Sequence, residues 1–227
     1  MMAVLMVRAS LLSGLLVATL VLPGPSSAAT RLLLLDRDVA ARVAPHPGAR
    51  VVGVVPAETP LTRSQMALPV IGRTKHWLHV RLPMRPDGAT GWVPASAGAT
   101  GAARWQIVVH RDARRAVVLE NGRARATFPV VVGRPSTPTP LGTFFVVEKI
   151  RIAPGVAEGP WALATSAYSY VLQRFAGGDG QVGLHGTVGL GGTLGTAASH
   201  GCIRFAPAAI SWIAGRVDPG TPVVVTR

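Results

Sequence analysis

Asn121-Gly122 stands between two β-rich runs, Arg115-Ala116-Val117-Val118-Leu119-Glu120 and Arg123-Ala124-Arg125-Ala126-Thr127-Phe128-Pro129-Val130-Val131-Val132. An Asn-Gly pair tolerates the positive φ angles of a type I′ turn, so the two runs are predicted to fold back as a hairpin. The same punctuation recurs along the chain, with 26 glycines and 19 prolines against 5% aromatic residues. That balance favours many turns and short strands over long helices. A hydrophobic fraction of 48% is enough for packed cores and argues against disorder. The 227 residues fit one large domain or two small ones.

The N-terminus reads as an address. Arg8 is the one charge before an apolar run, Ala9 to Leu22, broken only by Ser10, Ser13, Gly14 and Thr19. Pro23-Gly24-Pro25 follows, and then Ser26-Ser27-Ala28-Ala29 offers small residues for a cut after Ala28 or Ala29. Residues 1–29 are therefore expected to be a secretory signal peptide. The apolar run is shorter than the ~20 residues of a comfortable membrane span, so membrane contact is expected only through an uncleaved signal. No cysteine lies near the cut, which excludes a lipoprotein. The expected location is secreted, periplasmic or in the cell wall. The formal net charge of +13 attracts polyanions. Export, and the absence of any run of five Lys or Arg, exclude nucleic acid as the partner and favour anionic cell-wall polymers.

Residues 40–97 read as a first body of short strands: Arg50 to Val55, Pro69 to Gly72, the alternating Trp77 to Leu82, and Gly91-Trp92-Val93 after a Pro86-Asp87-Gly88 turn. The pattern W-L-x-V … G-W-V resembles a bacterial SH3-like module, a small β-barrel. Such a module either binds envelope components or packs against its neighbour as a spacer. His76 and His79, three apart in a strand, face opposite ways and make a poor metal pair. Ala95 to Ala103 reads as a short linker.

The second body, residues 104–227, is again β-rich. Trp105 to His110 is a strand, the 121–122 hairpin follows, and Pro135 to Pro140 must be a loop because proline cannot join a ladder. Gly142 to Glu148 resumes the sheet and Pro222 to Val225 closes it. The one helix is expected near the C-terminus, from Ala206 to Gly215, with Ile210, Trp212 and Ile213 as its apolar side. The fold class is mostly β.

The only cysteine of the chain, Cys202, lies close in sequence to two of the six histidines, His185 and His200. A thiol is mostly protonated at neutral pH. A nearby imidazole can take its proton and leave a thiolate–imidazolium pair, a strong nucleophile. Gly201 lets the backbone bend and expose the sulfur, and N–H groups there can line an oxyanion hole. No Asp or Glu lies between Asp179 and Asp218, so a backbone carbonyl, that of Gly186, is expected to orient His185 in place of an acid. Metal binding by His185, His200 and Cys202 lacks a fourth ligand or a supporting acid, so neither metal nor cofactor is expected. A papain-like peptidase would carry its cysteine before its histidine, the reverse of the order here.

The stretch H-G-T … S-H-G-C-I-R, from His185 to Thr187 and from Ser199 to Arg204, resembles the signature of the L,D-transpeptidase (YkuD-type) catalytic domain. Cys202 follows His185 by 17 residues (202 − 185), which suits the family. Phe175 to Gln181 and the T-P-T-P-x-G-x-F stretch, Thr137 to Phe144, also fit. Phe205 departs from the pattern where Met is frequent. The resemblance covers Trp105 to Arg227 and implies a β-rich sandwich with one short helix.

What this resemblance implies is a cysteine acyltransferase acting on peptidoglycan stem peptides. Cys202 would attack the carbonyl of an L-centre, usually diaminopimelate, in a tetrapeptide stem. D-alanine would leave, a thioester would remain, and a side-chain amine of a second stem would take the acyl group. His185 would be the base, oriented by Gly186, with His200 an open alternative. The N–H groups of Gly201 and Cys202 would hold the oxyanion. Ser199 and His200 would shape the nucleophile's loop, Ser199 lying beside the substrate, and Arg204 would pair with a substrate carboxylate. Tyr168 and Tyr170 lie in a stretch resembling the flap over the donor. Two rival functions remain open: an L,D-carboxypeptidase on the same fold, with water as acceptor, and a cell-wall-binding protein.

Overall fold

The computed structural model describes residues 29–174 and 177–227. All of the expected signal peptide except Ala29 lies outside the described residues, as do Phe175 and Ala176.

Seven strands form the first sheet: β1 (Thr30–Leu35), β2 (Val39–Arg42), β3 (Val51–Val55), β4 (Ala67–Arg73), β5 (Trp77–Arg81), β6 (Thr90–Pro94) and β7 (Gly98–Ala103). Their order is β3-β2-β6-β5-β4-β1-β7. The sheet reaches beyond the expected boundaries on both sides. Gly98 to Ala103, read above as a linker, is strand β7. It pairs with all six residues of β1, from Thr30↔Ala103 to Leu35↔Gly98. Its small residues carry no strand signature, but pairing needs only backbone N–H and C=O groups. His76 falls in the bend before β5. His79 stacks on Trp92 with ring centroids 4.7 Å apart and bonds Thr90 Oγ1 through Nε2 at 3.0 Å.

The second half contains β8 (Trp105–His110), β9 (Arg115–Glu120), β10 (Arg123–Pro129), β11 (Val132–Gly133), β12 (Gly142–Arg151), β13 (Trp161–Tyr168), β14 (Gln181–Gly186), β15 (Ala197–Ser199), β16 (Ile203–Phe205), helix α1 (Pro207–Ala214) and β17 (Pro222–Thr226). Eight of these strands form one sheet, β10-β9-β8-β17-β12-β13-β14-β16, while β11 and β15 pair separately and in parallel. The expected hairpin is present: Asn121 and Gly122 take φ of 49° and 75°, and Glu120 pairs with Arg123. Helix α1 buries Ala209, Ile210, Ile213 and Ala214 and starts with Pro207, whose missing N–H costs nothing at a helix start.

β12 joins the two halves. Side chains alternate across a strand. Phe144 and Val146 therefore enter the core of the second half, while Phe145 and Val147 enter the core of the first sheet with Leu33, Leu68 and Val80. Glu148, on the same strand, is buried and accepts the Leu61 N–H at 3.0 Å, the Thr62 hydroxyl at 2.8 Å and the Thr62 N–H. Among the described residues, no helix is long and apolar enough to cross a membrane.

Candidate active site

β14 and β16 are parallel neighbours at the sheet edge, with Leu184↔Ile203, His185↔Arg204 and Gly186↔Phe205 in register. Leu184 and Ile203 point into the core. By alternation, His185 and Arg204 take the opposite face. Continuing the register back by one residue sets Gly183 beside Cys202, and the Gly183 N–H donates to Cys202 Sγ at 3.5 Å. The chemistry-bearing residues of two distant stretches thus share one face of one strand pair.

His185 Nδ1 bonds the Gly186 carbonyl oxygen at 2.7 Å. A carbonyl only accepts, so Nδ1 carries the proton and Nε2 presents a lone pair. This is the backbone orientation expected from the shortage of local acids. Burial pushes the His185 imidazole below its ordinary value, against the opposing pull of the Gly186 bond. Gly186 is itself clamped: its N–H donates to the Glu158 carbonyl at 3.0 Å, and a Cβ at this position would lie 1.7 Å from the Gly159 oxygen.

Cys202 is half-buried, and its sulfur is enclosed enough for burial to push the thiol above its ordinary range, the Gly183 N–H partly opposing. Arg204 and Glu158 act electrostatically on both Cys202 and His185, in opposite senses. The two shifts favour a neutral thiol beside a neutral imidazole. Both directions act against the thiolate–imidazolium pair that sequence reasoning allowed.

The loop that carries Cys202 is held from below. Gly201 has φ +125°, a conformation that favours glycine. Its N–H donates to Ser199 Oγ at 3.1 Å, and the Ser199 hydroxyl donates to the Cys202 carbonyl at 2.6 Å. Thr139 Oγ1 donates to the Gly201 carbonyl at 2.8 Å, and Thr137 Oγ1 to the Ser199 carbonyl at 3.3 Å. Two expectations change here. Ser199 is fully buried, so it has no surface for a substrate and serves as a brace. The Gly201 N–H is occupied by that brace instead of facing an oxyanion.

Other site residues are placed as follows. His200 lines a small cleft beside Cys202 together with Ser169, Leu172, Gly180, Gln181 and Val182. Arg204 Nη1 donates to the Gly191 carbonyl at 2.5 Å, while its buried Nε has no partner among the described residues. Tyr168 does not point to the site: it is buried and its hydroxyl donates to the Pro83 carbonyl of the first sheet at 3.2 Å. Tyr170 is 59% exposed. Sequence reasoning missed Glu158, Gly159 and the Gly183 N–H. No local pattern ties them to the cysteine. Thr137 and Thr139 sat in a stretch noted for its resemblance, without a role.

Residues 104–225 match the family model described as YkuD, L,D-transpeptidase catalytic domain. Two curated relatives named as L,D-transpeptidase YkuD are each 31% identical, that of Bacillus subtilis over 123 residues and that of Bacillus licheniformis over 122. Each alignment covers 54% of this chain and spans 66% of the relative's length. Among solved structures, L,D-transpeptidase 3 from Mycobacterium tuberculosis, in complex with a faropenem-derived adduct, superposes with a TM-score of 0.51. It covers 86% of this chain and 97% of its own at 17% identity, a likeness of fold. With more than half of its residues inside the family model, the chain belongs to the YkuD family of L,D-transpeptidase catalytic domains.

Proposed function

We propose that this protein is an L,D-transpeptidase that cross-links peptidoglycan through a thioester on Cys202. The observation that carries the reading is the pairing of β14 with β16, which sets an Nδ1-protonated His185 and the Cys202 thiol on one face. His185 Nε2 takes the thiol proton as Sγ attacks the carbonyl of the L-centre of a tetrapeptide stem. The same imidazolium then protonates the departing amine of D-alanine, and the thioester remains. A diaminopimelate side-chain amine of a second stem attacks next, His185 removes its proton, and Sγ leaves as the thiol.

Desolvation of both groups suits this sequence. A neutral imidazole is ready to act as base, and charge appears only as the bond forms, when an N–H donor helps most. With the Gly201 N–H engaged by Ser199, the Cys202 N–H is the oxyanion donor this reading retains. The unpartnered Nε of Arg204 suits a substrate carboxylate, and His200 lines the approach to the sulfur. The net charge of +13 fits work among anionic wall polymers outside the cytoplasm, the setting in which the family acts on peptidoglycan.

The test is product analysis by mass spectrometry after incubating the full chain with a disaccharide-tetrapeptide containing diaminopimelate. The expected product is a dimer lighter than two monomers by one alanine. A tripeptide monomer alone would replace transpeptidation by carboxypeptidase activity. No product at all would count against an enzyme and for a wall-binding protein.

A further inference from the structure

The turn between β5 and β6 reaches across to the segment that follows β13. Arg85 Nη1 donates to the Ser169 carbonyl at 3.1 Å, and Nη2 to the Asp179 carbonyl at 2.9 Å. The guanidinium also lies over the Tyr168 ring, 4.8 Å from its centroid. Asp87 Oδ1 accepts the Tyr168 N–H at 2.8 Å. One arginine thus ties together two backbone points ten residues apart (179 − 169), close to where the chain leaves β13 and re-enters β14.

Those points belong to the wall of the cleft beside Cys202. Ser169 and Gly180 line it directly. The Ser169 N–H donates to the Gly180 carbonyl at 2.8 Å, and the Leu172 N–H donates to Ser169 Oγ at 2.9 Å. The wall is therefore a small hydrogen-bonded unit gripped at both ends by the first sheet. Guanidinium bonds to carbonyls are charge-assisted and stronger than neutral ones. The Asp87 carboxylate also interacts with the Tyr170 hydroxyl of the same segment.

We infer that Arg85 and Asp87 are positioning residues for the Cys202 cleft: the first sheet fixes the wall against which the donor stem peptide lies. Neither residue touches the reacting atoms. The inference extends the reading of Cys202 as the acyl-accepting nucleophile and rests on it for the identity of the donor.

The experiment compares the full chain with its Arg85→Ala, Asp87→Ala and Asp87→Asn variants. Asparagine keeps an oxygen for the Tyr168 N–H, so Asp87→Asn should behave as wild type. In both alanine variants the amides of residues 168–172 should exchange faster while those of β14 and β16 keep their protection. Alkylation of Cys202 by iodoacetamide should speed up by about three- to tenfold, the size of one lost hydrogen bond. KM for the tetrapeptide donor should rise by a similar factor, with kcat within about twofold of wild type. Unchanged exchange and alkylation in both alanine variants would overturn the inference. So would a steady KM despite loosened amides, because the wall would then not bear on the substrate. A wild-type chain that turns over no tetrapeptide would instead overturn the proposed function, and exchange and alkylation would still decide the clamp.

Discussion

The Ser199 hydroxyl donates to the carbonyl of Cys202, the residue three positions on, at 2.6 Å, and the same oxygen accepts the Gly201 N–H at 3.1 Å. Ser199→Ala would take this partner from both backbone groups, the Gly201 N–H in a buried place and the Cys202 carbonyl in a part-buried one. The expected cost is about 1–3 kcal/mol of stability. Acylation of Cys202 should slow by at least about tenfold, because small displacements of a nucleophile are expensive. Thermal unfolding and the acylation rate check the two effects separately. A variant that keeps both would remove the brace from the account.

Gly186→Ala should be far worse than Gly183→Ala, although the two glycines share one strand. At Gly186 a Cβ would meet the Gly159 oxygen at 1.7 Å, whereas at Gly183 its nearest neighbour, the Leu163 oxygen, lies at 3.5 Å, an ordinary contact. The first substitution must push β14 off its neighbour and carry the carbonyl that orients His185 with it. Loss of soluble protein, or of activity by orders of magnitude, is expected for Gly186→Ala alone. Expression and turnover of the pair, measured side by side, check this.

The alkylation rate of resting Cys202 should climb with pH through the alkaline range. Burial raises the thiol's pKa and lowers that of His185, so at neutral pH the thiolate is scarce and its fraction grows about tenfold per pH unit. Iodoacetamide rates between pH 5 and 10 test this. A plateau already reached near pH 6–7 would mean a preformed thiolate–imidazolium pair and sink the neutral-pair reading.

Glu148→Gln should weaken the join between the two halves. Burial alone would raise the Glu148 carboxyl, but the donors of Thr62 and Leu61 outweigh it and hold the group below its ordinary value. A depressed carboxylate stabilises fully above its ordinary value of 4.5 and loses that contribution as pH falls through its folded value. The variant should be less stable by about 1.5–3 kcal/mol at pH 7, the range for hydrogen bonds to a charged group. The gap to wild type should narrow on acidification. Urea unfolding of both chains at neutral and successively lower pH measures it; a gap independent of pH would contradict the assignment.

The strings on which the proposed chemistry rests were legible in the sequence because they are local. His185 with Gly186, and Ser199 to Cys202, carry their own turn residues, and the shortage of nearby acids pointed to a carbonyl as the orienting group. The Asn121-Gly122 hairpin and the Pro135 to Pro140 loop were legible for the same reason: the signal lies in adjacent residues. Strand β7 was not, since Gly98 to Ala103 pairs through backbone alone and its composition mimics a tether. Nor were the contacts of Glu158 with Gly186 or of Arg85 with Ser169 and Asp179. Those partners lie 28, 84 and 94 residues away, and nothing beside either partner announces the other. Ser199 and Tyr168 show a further limit. Their positions resembled substrate contacts, but burial turned one hydroxyl into a loop brace and sent the other to the first sheet.

The alternation along β12 has a consequence for how this molecule comes apart. Phe144 and Val146 belong to one core and Phe145 and Val147 to the other, so neither half can melt without stripping one face of a strand the other depends on. The two sheets should lose structure in a single cooperative transition. A chain severed after Ala103 would turn Phe145 and Val147 toward water, forfeiting about 1.5–3 kcal/mol for each and leaving an adhesive stripe beside the catalytic half. Dissection into separate pieces is therefore expected to yield aggregation, and the solubility of the half that bears Cys202 is borrowed from the half that does not.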